Sequence, residues 1–131
     1  MSSRQKAKIT DLPVFDRLEV ADRRWLRKTA RPMTYPAGAT LQEGGTVDRR
    51  FFVVMEGSVV LDDGARQVQC GPGVAFGDAR SSGDELPVTA IAATDVRTYI
   101  LPSLAVAWLA QHYPHVAVWL QEHPGEISLA G

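Results

Sequence analysis

The sequence predicts a mainly β domain: an eight-stranded antiparallel β-roll, or jelly roll, with an N-terminal helix and a C-terminal helical lid. Three observations carry this. Between Met33 and Leu101 about eight short apolar runs are separated by turn residues, at Ala37-Gly38, Gly44-Gly45, Glu56-Gly57, Asp63-Gly64, Gly71 to Gly73, Gly77 to Gly83 and Thr94-Asp95. Regularly spaced short strands with such turns suit a sandwich or roll. A 3.6-residue period precedes the runs and returns after Pro102. Finally, 131 residues with 45% hydrophobic and 22% charged content suit one globular domain with a proper core.

Residues 1–11 read as a flexible, solvated arm, residues 12–124 as the domain, and residues 125–131 as a short tail. Leu12-Pro13-Val14-Phe15 is a short apolar hook. Leu18, Ala21, Trp25, Leu26 and Ala30 then share one side of a helix, with Asp22, Arg23, Arg24, Arg27 and Lys28 on the wet side. Pro32 stops that helix. In the strand region, Val59 and Leu61 alternate with polar or turn-side neighbours. Phe51 to Met55 is apolar on both faces, as a strand covered from both sides must be. Ser103 is a plausible N-cap for the next helix, whose buried side is expected to carry Leu104, Ala107, Trp108 and Gln111. Pro114 opens a last helix at its first position, Val116, Ala117, Trp119 and Leu120 form its apolar side, and Pro124-Gly125 ends it.

Several functions are excluded by what these elements contain. A net charge of −1 is not that of a basic nucleic-acid binder. The single cysteine, Cys70, allows no internal disulfide and fits a reducing compartment; it reads as a strand residue. The N-terminus has no apolar stretch behind its basic residues, so a secretory signal is not expected and the cytoplasm is. Thr98 to Gln121 lacks Asp, Glu, Lys and Arg, but Pro102 and Pro114 cut it, so membrane insertion is not expected either. A metal-dependent enzyme on a β-roll needs histidines and a carboxylate facing into the barrel. His112, His115 and His123 all fall in the C-terminal helical part, so neither catalysis nor a metal or other cofactor is expected.

The stretch with most chemical content is CGPGVAFGDARSS, Cys70 to Ser82. A glycine that ends a strand and opens a helical turn lets backbone N–H groups converge on an anion. Together with LPVF (12–15), YPAGATLQEGG (35–45), FFVVMEGSVVL (51–61) and PVTAIAATDVRTYIL (87–101), it resembles the cyclic-nucleotide-binding domain family, best known from the Crp–Fnr regulators. The resemblance runs from Leu12 to Pro124. It implies that the loop after Phe76-Gly77 is a phosphate-binding cassette. Gly77 then stands at the family's glycine, and Asp78 at the acid that accepts from a ribose hydroxyl, where the family usually has Glu. Thr89 stands at the small hydroxyl residue. Ala79, Arg80 and Ser81 complete the cassette, with Arg80, Ser81 and Ser82 as possible substitutes for a lost contact.

At the family's phosphate-binding arginine, ten residues after the acid, stands Val88. Losing one partner of a buried charge pair costs about 2–5 kcal/mol, roughly 30-fold to several-thousand-fold in affinity. The expectation is therefore a stand-alone, non-enzymatic regulatory module with weak or lost affinity for cyclic nucleotide. It would act through a protein partner or self-association, at Trp108, Val116, Trp119 and Leu120. The alternative is a sensor in which cyclic AMP, cyclic GMP or another small anion moves the C-terminal helices. Regulators of the family carry a helix-turn-helix domain after the lid; this sequence leaves no room for one, so direct DNA binding is not expected.

Overall fold

The computed structural model describes residues 7–79 and 83–122. A 3-10 turn, Ile9–Asp11, leads into α1 (Pro13–Asp16) and α2 (Val20–Thr29). Eight strands follow: β1 (Arg31–Tyr35), β2 (Thr40–Gln42), β3 (Arg50–Glu56), β4 (Val59–Asp62), β5 (Gln67–Cys70), β6 (Ala75–Gly77), β7 (Thr89–Ala92) and β8 (Val96–Pro102). The chain closes with α3 (Ser103–His112) and α4 (Pro114–Gln121). The strands form two antiparallel four-stranded sheets, ordered β1-β8-β3-β6 and β2-β7-β4-β5. This is the β-roll the sequence predicts.

Strand β3 divides the core in two, because successive side chains point to opposite faces of a sheet. Phe52 and Val54 face the roll interior, with Leu41, Val59, Leu61, Val74, Phe76, Val88, Ala90, Ala92, Val96 and Ile100. Phe52 stacks on Phe76 at 5.1 Å between centroids. Phe51 and Val53 face the other way, into a second cluster built by the helices with Phe15, Leu18, Leu26, Val106, Leu109, Val116 and Leu120. A strand with both rows buried has no polar row, as the uninterrupted FFVV shows.

The helical part corrects several expectations. Ile9 and Thr10 do not belong to a solvated arm: Ile9 is 1% exposed and packs in the helical cluster, and Thr10 is 4% exposed. Lys8 N–H donates to Asp11 Oδ2 at 2.7 Å, which closes the 3-10 turn. Two basic residues of α2 hold this region rather than only facing water. The Arg23 guanidinium donates to the Asp16 and Leu18 carbonyls at 3.1 and 2.9 Å, and Arg27 donates to Thr10 Oγ1 at 3.2 Å. Ser103 is the first residue of α3, not its cap. Pro102 stands at the cap, and Ser103 N–H donates to the Arg49 carbonyl at 2.9 Å.

The buried side of α3 carries Ser103, Ala105, Val106 and Leu109, whereas Leu104 is 69% and Trp108 39% exposed. Periodicity could not choose between these sides, because SLAVAWLA is apolar almost all round. The smaller side chains of the inner row let α3 lie close against β8 and β3. Trp25 is likewise on the outside of α2, at 39% exposure. Residue Ala21 is exposed too, leaving Leu26 as the one buried residue of that helix. Helix α4 ends at Gln121; Pro124-Gly125 lies outside the described residues.

Candidate functional site

The candidate cassette starts at the C-terminal end of β6, where Gly77 pairs with Phe51. Gly77 has φ +120, and a Cβ there would lie 2.5 Å from the Arg50 carbonyl oxygen and 3.0 Å from Phe51 Cα. Only glycine fits so close to a neighbouring strand in that conformation. Asp78 follows, 8% exposed, its N–H donating to the same Arg50 carbonyl at 3.0 Å. Ala79 is 4% exposed and belongs to the helical cluster. Arg80, Ser81 and Ser82, and with them the expected helical turn and substitute contacts, lie outside the described residues.

Val88 is fully buried in the apolar cluster inside the roll. Its carbonyl accepts a 2.8 Å hydrogen bond from Gln42 Nε2, and Gln42 is itself 3% exposed. The next residue, Thr89, points away from Val88, since side chains alternate along a strand. Thr89 Oγ1 accepts from Gly44 N–H at 2.9 Å. Across the ladder Thr89 stands opposite Asp62, at an outer hollow of about 250 Å³ that Asp63 also lines. The two carboxylates make that hollow a poor place for a phosphate. Val88 and Thr89, adjacent in sequence, therefore do not converge on one point.

Sequence reasoning passed over Arg50. Its position on β3, two before Phe52, places it on the interior row at the edge of the roll. The guanidinium lies 5.0 Å from the Phe52 ring centroid. It forks onto Asp48, through Nε to Oδ1 at 2.9 Å and Nη2 to Oδ2 at 2.7 Å, and Nη2 also donates to the Leu41 carbonyl at 3.5 Å. The signal was available in the alternation of RFFVV, but an arginine at a strand start reads as solvated. The hydrogen bond from Arg50 holds the Asp48 carboxyl below the usual carboxylate range, and the same bond raises Arg50. A depressed carboxylate contributes its full stability above its unfolded value of 3.8, and that stability is lost as pH falls from there through the lower folded value. Asp48→Asn is accordingly expected to cost about 1 kcal/mol at pH 7, since both groups keep some contact with water. Urea unfolding at pH 7 and pH 3 checks this: the difference between wild type and variant should be clearly smaller at the lower pH.

The four residues expected to contact a partner separate. Val116 is fully buried and Leu120 is 6% exposed, both in the helical cluster. Trp119 packs edge-on against Phe15 at 5.4 Å and Phe51 at 6.2 Å. These three pack α4 against the roll; Val116 and Leu120 are closed to water, while Trp119 is half-buried and also lines a surface hollow of about 350 Å³ with Pro13, Val14 and Val118. Trp108 alone is exposed, beside Trp25 at 5.5 Å. His112 Nδ1–H donates to the Trp108 carbonyl at 2.9 Å, and His115 Nε2–H to the Val14 carbonyl at 2.8 Å. A carbonyl can only accept, so each bonded ring nitrogen carries the proton. Among the described residues no group of three His, Cys, Asp or Glu side chains is placed to hold a metal. Cys70 lies half-buried on β5, its thiol pushed up by burial. Among the described residues no helix is long and apolar enough to cross a membrane.

Comparison with known proteins agrees with this fold. Over 110 residues the chain is 31% identical to a cyclic nucleotide-gated potassium channel of Rhizobium etli. Over the same length it is 34% identical to one of Mesorhizobium japonicum. Each match covers 83% of this chain and 31% of the channel, so the chain spans about a third of the length of these relatives. Among solved structures it is similar to the C-linker/CNBHD of zELK channels, crystallised in the presence of cAMP, with a TM-score of 0.70 at 16% identity. That match covers 87% of this chain and 60% of the other. It is also similar to the Catabolite Activator Protein of Thermus thermophilus, with a TM-score of 0.66 at 23% identity, covering 84% and 55%. At these identities the structures speak for the fold. The model of the cyclic nucleotide-binding domain matches residues 32–113, from β1 to the end of α3. With most of the roll inside that match, the chain belongs to the cyclic nucleotide-binding domain family.

Proposed function

We propose that this chain is a regulatory module of the family whose affinity for cyclic AMP and cyclic GMP is weak or lost, and which acts through protein contacts. The observation that carries the reading is Val88, fully buried where the family resemblance expects a phosphate-binding arginine. A cyclic phosphate is a full anion, and it needs a cation or several oriented donors to leave water. The Val88 side chain offers hydrocarbon instead. The guanidinium at the edge of the roll, Arg50, is already neutralised by Asp48. Thr89 turns its hydroxyl outward to Gly44. The exposed Trp108, with the exposed Trp25 and Leu104, supports a partner surface on the helices; tryptophan is enriched at such contacts.

The test is a titration of the chain with cyclic AMP and cyclic GMP, read by calorimetry and by amide shifts. The expected result is no saturation below about 1 mM. Val88→Arg should bind at least about 30-fold more tightly. Because it buries a guanidinium in a dry core, it should also be less stable alone and regain melting temperature when cyclic AMP is added. Micromolar saturation of the wild type, with shifts centred on Ala79 and Thr89, overturns the reading in favour of a true sensor.

A further inference from the structure

Where α2 meets α3, a hollow of about 350 Å³ is lined by Asp22, Trp25 and Trp108. Two indoles wall it, their centroids 5.5 Å apart and their planes meeting at 63°. Neither tryptophan belongs to a core cluster, and each keeps 39% of its surface in water. Trp108 is braced on a second side. His112 stacks on Trp108 at 4.1 Å and is tied to its carbonyl.

Asp22 is fixed as well. It stands one helical turn before Trp25 in α2. The Tyr113 hydroxyl donates to Asp22 Oδ2 and accepts from Glu19 N–H at 3.2 Å. The hydrogen bond to Asp22 is also the main reason the Tyr113 hydroxyl is pushed up. Among the described residues no lysine, arginine or histidine forms an ion pair with Asp22. Glu19 adds negative charge on the same side of Trp25, while Lys28 lies one turn away on the other. The corner thus presents two aromatic walls and a half-buried carboxylate that is held in place but not neutralised.

We propose that this corner binds an organic ammonium cation, with its N-methyl groups against Trp25 and Trp108 and its charge facing Asp22. The ring quadrupole attracts a cation, and tryptophan does so best. A methylated ammonium sheds water more cheaply than a bare lysine ammonium, and its methyl groups match the apolar walls. The corner lies on the helices and not in the roll, so its chemistry is independent of Val88; it is the same Trp25–Trp108 surface proposed above for a protein partner, and a methylated lysine of that partner would occupy it.

The test follows the indole N–H signals of Trp25 and Trp108 during titration with choline chloride. Parallel titrations use its neutral isostere dimethylbutanol and a short peptide carrying one trimethyllysine. Saturable shifts of both indoles are expected with choline, and binding of the isostere about tenfold weaker or less. Asp22→Asn keeps an acceptor for Tyr113 and should weaken choline about tenfold with the melting temperature unchanged. Trp108→Ala should abolish binding in a folded protein. A peptide that binds more tightly than choline identifies the source as a modified protein; one that binds equally or less identifies a free small molecule. No saturable shift with either cation up to about 10 mM overturns the proposal. So does equal binding of the isostere, or unchanged affinity in Asp22→Asn.

Discussion

Gly77→Ala is expected to destabilise the domain by about 3 kcal/mol or more, lowering the melting temperature by roughly 10 °C for a chain of this size. Two costs add. The residue sits at φ +120, where an L side chain is strained, and its new Cβ would meet the Arg50 carbonyl oxygen at 2.5 Å. That oxygen is backbone in β3 and cannot swing aside. It also accepts from Asp78 N–H, so relief of the clash would loosen the start of the cassette. The damage should spread along β3 to the Arg50–Asp48 pair. Thermal and urea unfolding measure the cost, and amide exchange at Phe51 and Asp78 locates it. Gly71→Ala is the control: its φ is ordinary and a Cβ there meets nothing within 4 Å, so its effect should stay near 0.5 kcal/mol or below. Equal losses in the two variants would mean that the close approach at Gly77 carries no strain.

The roll was legible because its strands are short and punctuated. Each run from Met33 to Leu101 ends at a turn residue, and each became a strand. Position in the sheet was legible where burial is two-sided: FFVV has no polar row, and β3 lies between two clusters. The helices were less legible, since SLAVAWLA is apolar on every side and only the packed sheet decides that Ala105, Val106 and Leu109 turn inward. Ile9 was hidden for a related reason. One apolar residue after a polar stretch gives no period, yet it fills a gap that α1 and α2 leave. At the site, Val88 was readable as a missing cation, but Arg50 was not. Its significance comes from the distance to Phe52 and the fork from Asp48, and neither is a pattern in sequence.

Trp119→Ala is expected to cost about 3 kcal/mol or more, while Trp108→Ala should stay within about 1 kcal/mol of wild type. The two residues lie on consecutive helices and read alike in sequence, so the contrast isolates what packing adds. Trp119 meets Phe15 and Phe51 edge-on, and through them ties α4 to α1 and to the outer row of β3. Removing it opens a void between three elements that cannot all close at once. Trp108 touches Trp25 and His112, both at the surface, and water replaces it readily. Urea unfolding of the two variants, followed by far-UV dichroism, decides the matter. A stable Trp119→Ala beside an unfolded Trp108→Ala would reverse the assignment of inner and outer faces. The asymmetry also has a functional side. A side chain whose loss the fold tolerates can be conserved or changed for what it contacts outside the molecule, and Trp108 has that freedom where Trp119, Val116 and Leu120 do not.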